Sequence, residues 1–106
     1  MVEITYYRKR HDLAVIGHAG GEKGKDLVCA AVSALVLTLA GNVAELALGD
    51  KLRRHRLDLG EGHSRISCVG ASGMGPLVTL IFDAVCSGFE LLQTLYPDNV
   101  RYRVTE

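Results

Sequence analysis

The sequence predicts an α+β fold, a two-layer sandwich in which a mixed sheet carries two long helices, with element order ββαββαβ. Three observations predict it. Segments near both ends and in the middle alternate apolar and polar side chains, the period of a half-buried strand. Two longer segments are apolar at helical length and stop on Gly49 and Pro97. Glycine-rich stretches separate several of these elements. The chain has 106 residues, which is one domain's worth, so residues 1–106 form a single domain.

Taken in order, Val2 to Arg8 sets Val2, Ile4 and Tyr6 against Glu3, Thr5 and Tyr7, the first strand. Lys9 to Asp12 is a charged turn. Leu13-Ala14-Val15-Ile16 is the second strand and ends at Gly17-His18. Residues 19–25 hold Gly20, Gly21 and Gly24, a mobile loop. Asp26 caps a helix over 27–48, and Gly49 suits its end. Arg53 to Leu59 and Ser64 to Gly70 form a hairpin around Gly60-Glu61-Gly62-His63. A second glycine-rich loop, 70–75, leads to Pro76 in the first turn of the second helix. That helix's buried stripe reads Leu77, Ile81, Ala84, Val85, Gly88, Phe89, Leu92 and Tyr96. Pro97-Asp98-Asn99 ends it, and Val100 to Val104 is the last strand.

Leu27 to Gly49 has the length of a membrane span and only four polar side chains, Ser33, Thr38, Asn42 and Glu45. Asn42 and Glu45 would lie inside such a span. Lys23 and Lys25 precede it while Lys51, Arg53 and Arg54 follow, so no charge asymmetry sets an orientation. A buried helix is the expectation, one side on the sheet and the other on a neighbouring helix or subunit. A homodimer follows, because a monomer rarely exposes an apolar patch of that size.

Hydrophobic residues make up 48% and charged residues 23%, which excludes a disordered chain. Lys plus Arg and Asp plus Glu are both 12, so the net charge is zero, and no direct nucleic-acid binding is expected. Arg53, Arg54 and Arg56, with Arg8, Lys9 and Arg10, read as a solvated strand edge that resists aggregation. The start carries no basic region followed by an apolar run, so no secretory signal is expected. Three cysteines, at 29, 68 and 86, cannot close a disulfide framework among themselves. No CxxC pair occurs, which argues against a structural zinc site and a thioredoxin-type redox pair; no metal or cofactor is expected. The expected compartment is the reducing cytoplasm.

Chemistry concentrates where the second strand hands over to the first helix. With Asp26 as cap, Cys29 is the third helical residue. First-turn N–H groups lack intrahelical partners and sit at the positive end of the helix dipole. Both features favour a thiolate and suit an oxyanion on an attacked carbonyl. A buried, inert thiol is the other reading of Cys29, and the preferred one for Cys68 and Cys86. His18 stands where the strand ends, and a short loop brings the chain back to the helix start. A histidine there can deprotonate the thiol and then protonate a leaving amine. His11, His55 and His63 read as solvated. No third member orienting His18 is visible. Asp26 is near, but its charge opposes ionisation of Cys29. The loop 19–25 joins the two residues and reads as a lid. Rival motifs fail: a phosphate loop ending at Gly24-Lys25 lacks Gly at Ala19 and Ser or Thr at Asp26, and a nucleophile elbow at Gly70-Ala71-Ser72 lacks Gly at Met74.

The string Gly17-His18-Ala19, followed by Gly24-Lys25-Asp26-Leu27-Val28-Cys29-Ala30-Ala31-Val32-Ser33-Ala34-Leu35, resembles the ribosomal-processing cysteine proteases, the Prp family. The specific part is residues 17–35; the second half matches only in general pattern. The resemblance implies a small cytoplasmic, homodimeric endopeptidase with a His/Cys dyad. It implies a substrate too: the precursor of large-subunit ribosomal protein twenty-seven, whose N-terminal extension is removed after a phenylalanine. On this sequence the dyad falls on His18 and Cys29. Ser33, one turn beyond Cys29, and Asp26 match family positions and are assigned supporting roles, with Gly20, Gly21 and Gly24 of the loop. Two alternatives remain: a non-catalytic ribosome-associated module and a redox-sensing thiol protein.

Overall fold

The computed structural model describes residues 1–18 and 26–106; the loop 19–25, with the lid assigned to it, lies outside the described residues. Seven elements follow the predicted order: β1 (Val2–Tyr7), β2 (Asp12–Gly17), α1 (Asp26–Leu48), β3 (Leu52–Gly60), β4 (His63–Gly70), α2 (Gly75–Leu95) and β5 (Val100–Thr105). The strands form one sheet in the order β3-β4-β2-β1-β5. Every neighbouring pair is antiparallel except β1 and β5, which run parallel. β2 and β3 point the same way, as do β4 and β5. Each pair is therefore joined by a helical crossover, α1 in the first case and α2 in the second.

Both helices lie on one face of the sheet. Val2, Ile4 and Tyr6 of β1 point into that layer beside Leu13 and Val15 of β2 and Ile66 and Cys68 of β4, all buried. From the helices come Val28, Val32, Val36, Leu39 and Val43 of α1 and Val78, Phe82, Val85, Cys86 and Phe89 of α2. The two helices meet closely where Gly88 faces Leu35; a Cβ on Gly88 would stand 2.8 Å from the Leu35 methyls. Both reach the length and hydropathy of a membrane span, and in this fold each turns one side into the core.

The described part of α1 begins at Asp26. Two expectations are corrected. The buried stripe of α2 is rotated from the predicted one: Leu77 and Ala84 are exposed, while Val78, Phe82 and Cys86 are buried. This helix is apolar on several sides, and the two phenylalanines, its bulkiest side chains, decide which side is covered. His11 is not solvated. It turns the β1–β2 connection with φ +50°, shares a hydrogen bond with Thr79 Oγ1 at 2.6 Å and lies 5.7 Å from the Phe82 ring.

Polar contacts tie this end of the sheet to α2. Tyr6 Oη donates to Asp83 at 2.8 Å, and Arg8 forms a two-pronged pair with the same carboxylate at 3.1 and 2.9 Å. The Arg8 guanidinium holds the Asp83 carboxyl below the usual carboxylate range. Burial holds His11 below the usual imidazole range; the Asp83 charge opposes this and the Arg8 charge adds to it.

The sign of the resulting pH effect follows from linkage. A histidine lowered in the fold contributes stability that is whole above its unfolded pKa of about 6.5 and lost as pH falls through the folded value. Asp83 acts in a separate window, below about pH 4. The melting temperature is therefore expected to be lower at pH 5 than at pH 7. His11→Asn, which tolerates the left-handed backbone, should shrink that difference. Equal melting temperatures at the two pH values would contradict this account of His11.

Candidate active site

The candidate site lies at the carboxyl ends of β2 and β3, where α1 begins. Open sheets place ligands at such ends, because crossover helices start there with free N–H groups. β2 finishes at Gly17, opposite Val2 of β1, and His18 is the next residue. Gly17 N donates to the Gly62 carbonyl at 2.8 Å, fastening the strand end to the β3–β4 turn. The Met1 amino group donates to the His18 carbonyl at 2.6 Å.

A cleft of about 320 Å³ opens here. His18 and Cys29 both line it, and Ser33 joins them from the next turn of α1. Its floor is apolar, from Val2, Val15, Val32 and Val36; its opposite wall is the β3–β4 turn, from Leu59 through Gly62 to His63 and Ser64. His18 and Ser33 are exposed and Cys29 is half-buried. Cys29 is the fourth described residue of α1, close to the positive end of the dipole.

The turn fixes where the histidine ring can sit. Gly62 has φ +76°, a conformation that favours glycine. A Cβ there would stand 2.7 Å from His18 Nε2, so the bare backbone also makes room for the ring. The local sequence pattern marks these residues only as a hairpin turn. Their part in the site depends on a long-range pairing, Ile16 with His63 and Gly17 with Gly62, for which the local pattern holds no signal.

The other two thiols are unsuited to the role. Burial pushes Cys68 up to about 11 and Cys86 up to about 12. For Cys86 a Tyr102 hydrogen bond pulls the other way and the Asp83 charge adds to the rise. Both therefore stay protonated near neutral pH inside the core. Cys29 is the one cysteine of the three that lines the cleft.

The remaining candidates divide. His55 is exposed on β3, as expected, and His63 is exposed but sits on the cleft wall. Gly20, Gly21 and Gly24 lie outside the described residues, and Asp26 opens α1. Among the described residues, no carboxylate bonds to the His18 ring, and no group of three or more His, Cys, Asp or Glu is placed to hold a metal ion.

His18 and the half-buried Cys29 thus share one open cleft at a strand end and a helix start. The family model of the cysteine protease Prp matches residues 1–101, and the chain belongs to that family. That family is one of cysteine proteases, so the chain is a cysteine protease by family. The crystal structure of SMU.848 from Streptococcus mutans is similar, at 29% identity over 99% of this chain and 97% of that one, with TM-score 0.75. The essential ribosomal processing protease Prp from S. aureus, in complex with a covalently linked product peptide, matches at 25% identity over 98% and 97%, with TM-score 0.69. The same S. aureus protease with a substrate peptide, at 22% identity and TM-score 0.62, is similar in fold. No curated protein sequence matches the chain.

Proposed function

We propose that this protease uses Cys29 as nucleophile and His18 as general base and acid to remove an N-terminal extension from large-subunit ribosomal protein twenty-seven in the cytoplasm. The observation that supports it most is the shared cleft, with Cys68 and Cys86 withdrawn into the core. In the reaction, His18 takes the Sγ proton of Cys29, and the thiolate attacks the scissile carbonyl. The C–N bond breaks as His18 returns the proton to the leaving amine, which leaves an acyl group on sulfur. Water, deprotonated by His18, then attacks the thioester and frees Cys29. The apolar floor of the cleft suits a large apolar side chain beside the cut, in keeping with cleavage after phenylalanine. Ser33 borders the reacting thiol, and Asp26 sets the helix start from which Cys29 projects.

Incubation with the organism's own precursor, followed by mass measurement, tests the reading. The native chain should remove one N-terminal fragment ending in phenylalanine. Cys29→Ser should nearly abolish cleavage, and His18→Ala should slow it by roughly 10²–10⁴-fold, with the fold retained in both. Cys68→Ser and Cys86→Ser should retain cleavage where they fold. An intact precursor, or full activity in Cys29→Ser, would contradict the assignment.

We also propose that the chain acts as a homodimer through α1. Leu27 and Leu37 are 65% and 60% exposed, and the outer face between them and Gly41 presents Ala30, Ala34 and Thr38 without a charge. Sedimentation at micromolar concentration should give a dimer, and Ala34→Glu should shift it toward monomer. A native monomer would overturn this surface assignment.

A further inference from the structure

The face of the sheet opposite the helices carries a charge pattern that the zero net charge conceals. Alternation along each strand places Arg54 and Arg56 of β3, Arg65 of β4 and Arg101 and Arg103 of β5 on this open face. Arg10 joins them by lying 4.4 Å from the centroid of the Tyr7 ring, over which Arg65 also sits at 5.6 Å. Glu3, Asp12 and Asp58 are the acidic side chains at the facing strand positions, so guanidinium outnumbers carboxylate two to one. None of the chain's four lysines falls on these positions.

Part of this charge is internally satisfied. Arg65 forms a bidentate pair with Asp12 at 2.8 and 2.7 Å. The rest is loosely held: Arg56 to Asp58 at 3.3 Å, Arg101 to Glu3 at 3.6 Å and Arg10 to Asp12 at 3.8 Å, with all three arginine side chains more than 60% exposed. Arg54 and Arg103 have no carboxylate partner among the described residues. Two hollows mark the same face. One of about 320 Å³ is lined by Arg10, Arg54 and Arg56 with Asp12, and one of about 200 Å³ by Arg65, Arg101 and Arg103 with Glu3.

We infer that this open sheet face binds the phosphodiester backbone of single-stranded RNA. Arg54 with Arg56, and Arg101 with Arg103, are pairs two residues apart on a strand, about 6.6 Å, at opposite edges of the sheet; four strand spacings across and four residues along put the pairs about 23 Å from each other. Several guanidinium groups spread over one surface suit a polyanion, which presents many phosphates along one chain. Arginine's planar fork takes phosphate in a two-pronged bond, which lysine does not. Edge protection alone would not need Arg65, on an inner strand, and is commonly met with lysine. A second copy of the chain is a poor occupant, because a two-fold contact would press the arginines against one another. Tyr7 is already stacked by arginine, so the surface reads backbone and not bases. The family works in ribosomal processing, which brings RNA within its reach.

Fluorescence anisotropy of a labelled mixed-sequence RNA of about 20 nucleotides, titrated with the full chain, tests the inference. With the four edge arginines neutralising four phosphates, affinity should fall roughly 50-fold between 50 and 200 mM salt. The pair Arg101→Gln with Arg103→Gln, or Arg54→Gln with Arg56→Gln, should weaken binding about tenfold or more at low salt and halve the salt slope. Lys51→Gln should change neither, and peptide cleavage should stay at the native level in all of these variants. No binding at 50 mM salt, unaltered binding in both double variants, or polyglutamate binding as tightly as RNA would overturn it; the last would point to an acidic protein partner.

Discussion

The fold depends on one topological constraint: β2 and β3 are parallel, so α1 must carry the chain back across the sheet between them. A crossover helix starts at the carboxyl end of the strand it leaves. That rule puts the end of β2, which bears His18, and the first turn of α1, which bears Cys29, at one end of one sheet. The proposed catalytic pair is thus a consequence of chain connection, and the apolar length of α1 anchors it. Val28, Val32, Val36, Leu39 and Val43 are all buried against the sheet, so Cys29 and Ser33 can occupy only the side of the helix that faces the cleft. A slip of α1 by one residue would rotate Cys29 by about 100° away from it.

The element order and the place of the site were legible because both are local. Alternation in β1, the long apolar run of α1 and the turn residues near 60 and 97 each act over a few positions. His18 and Cys29 were legible for the same reason, since a strand end and a helix start are read from short patterns. What was missed is what long-range pairing decides. No local signal says that the β3–β4 turn lies against His18, or that His11 tucks beside Thr79 and Phe82. The covered side of α2 was misread because its sequence offers several apolar stripes, and only the sheet selects Phe82 and Phe89.

The two faces of the sheet show how a neutral chain can be locally uneven. On the covered face the strands contribute Val2, Ile4, Tyr6, Leu13, Val15 and Ile66, which exclude water and push the Cys68 thiol up to about 11. On the open face the same strands, one residue out of step, contribute most of the arginines. A period of two separates these populations completely, while composition averages them to zero. The burial that silences Cys68 and Cys86 also sharpens the role of Cys29, because a thiol must meet solvent and a base to react.

The central claim is that His18 and Cys29 act on each other across the cleft. The most direct test is the rate at which a small alkylating reagent modifies each cysteine near neutral pH, in the native chain and in His18→Ala. Rapid modification is expected at Cys29, none at Cys68 or Cys86 while the chain is folded, and marked slowing at Cys29 when the imidazole is removed. Equal rates at Cys29 with and without His18, or comparable labelling of the buried thiols, would contradict it.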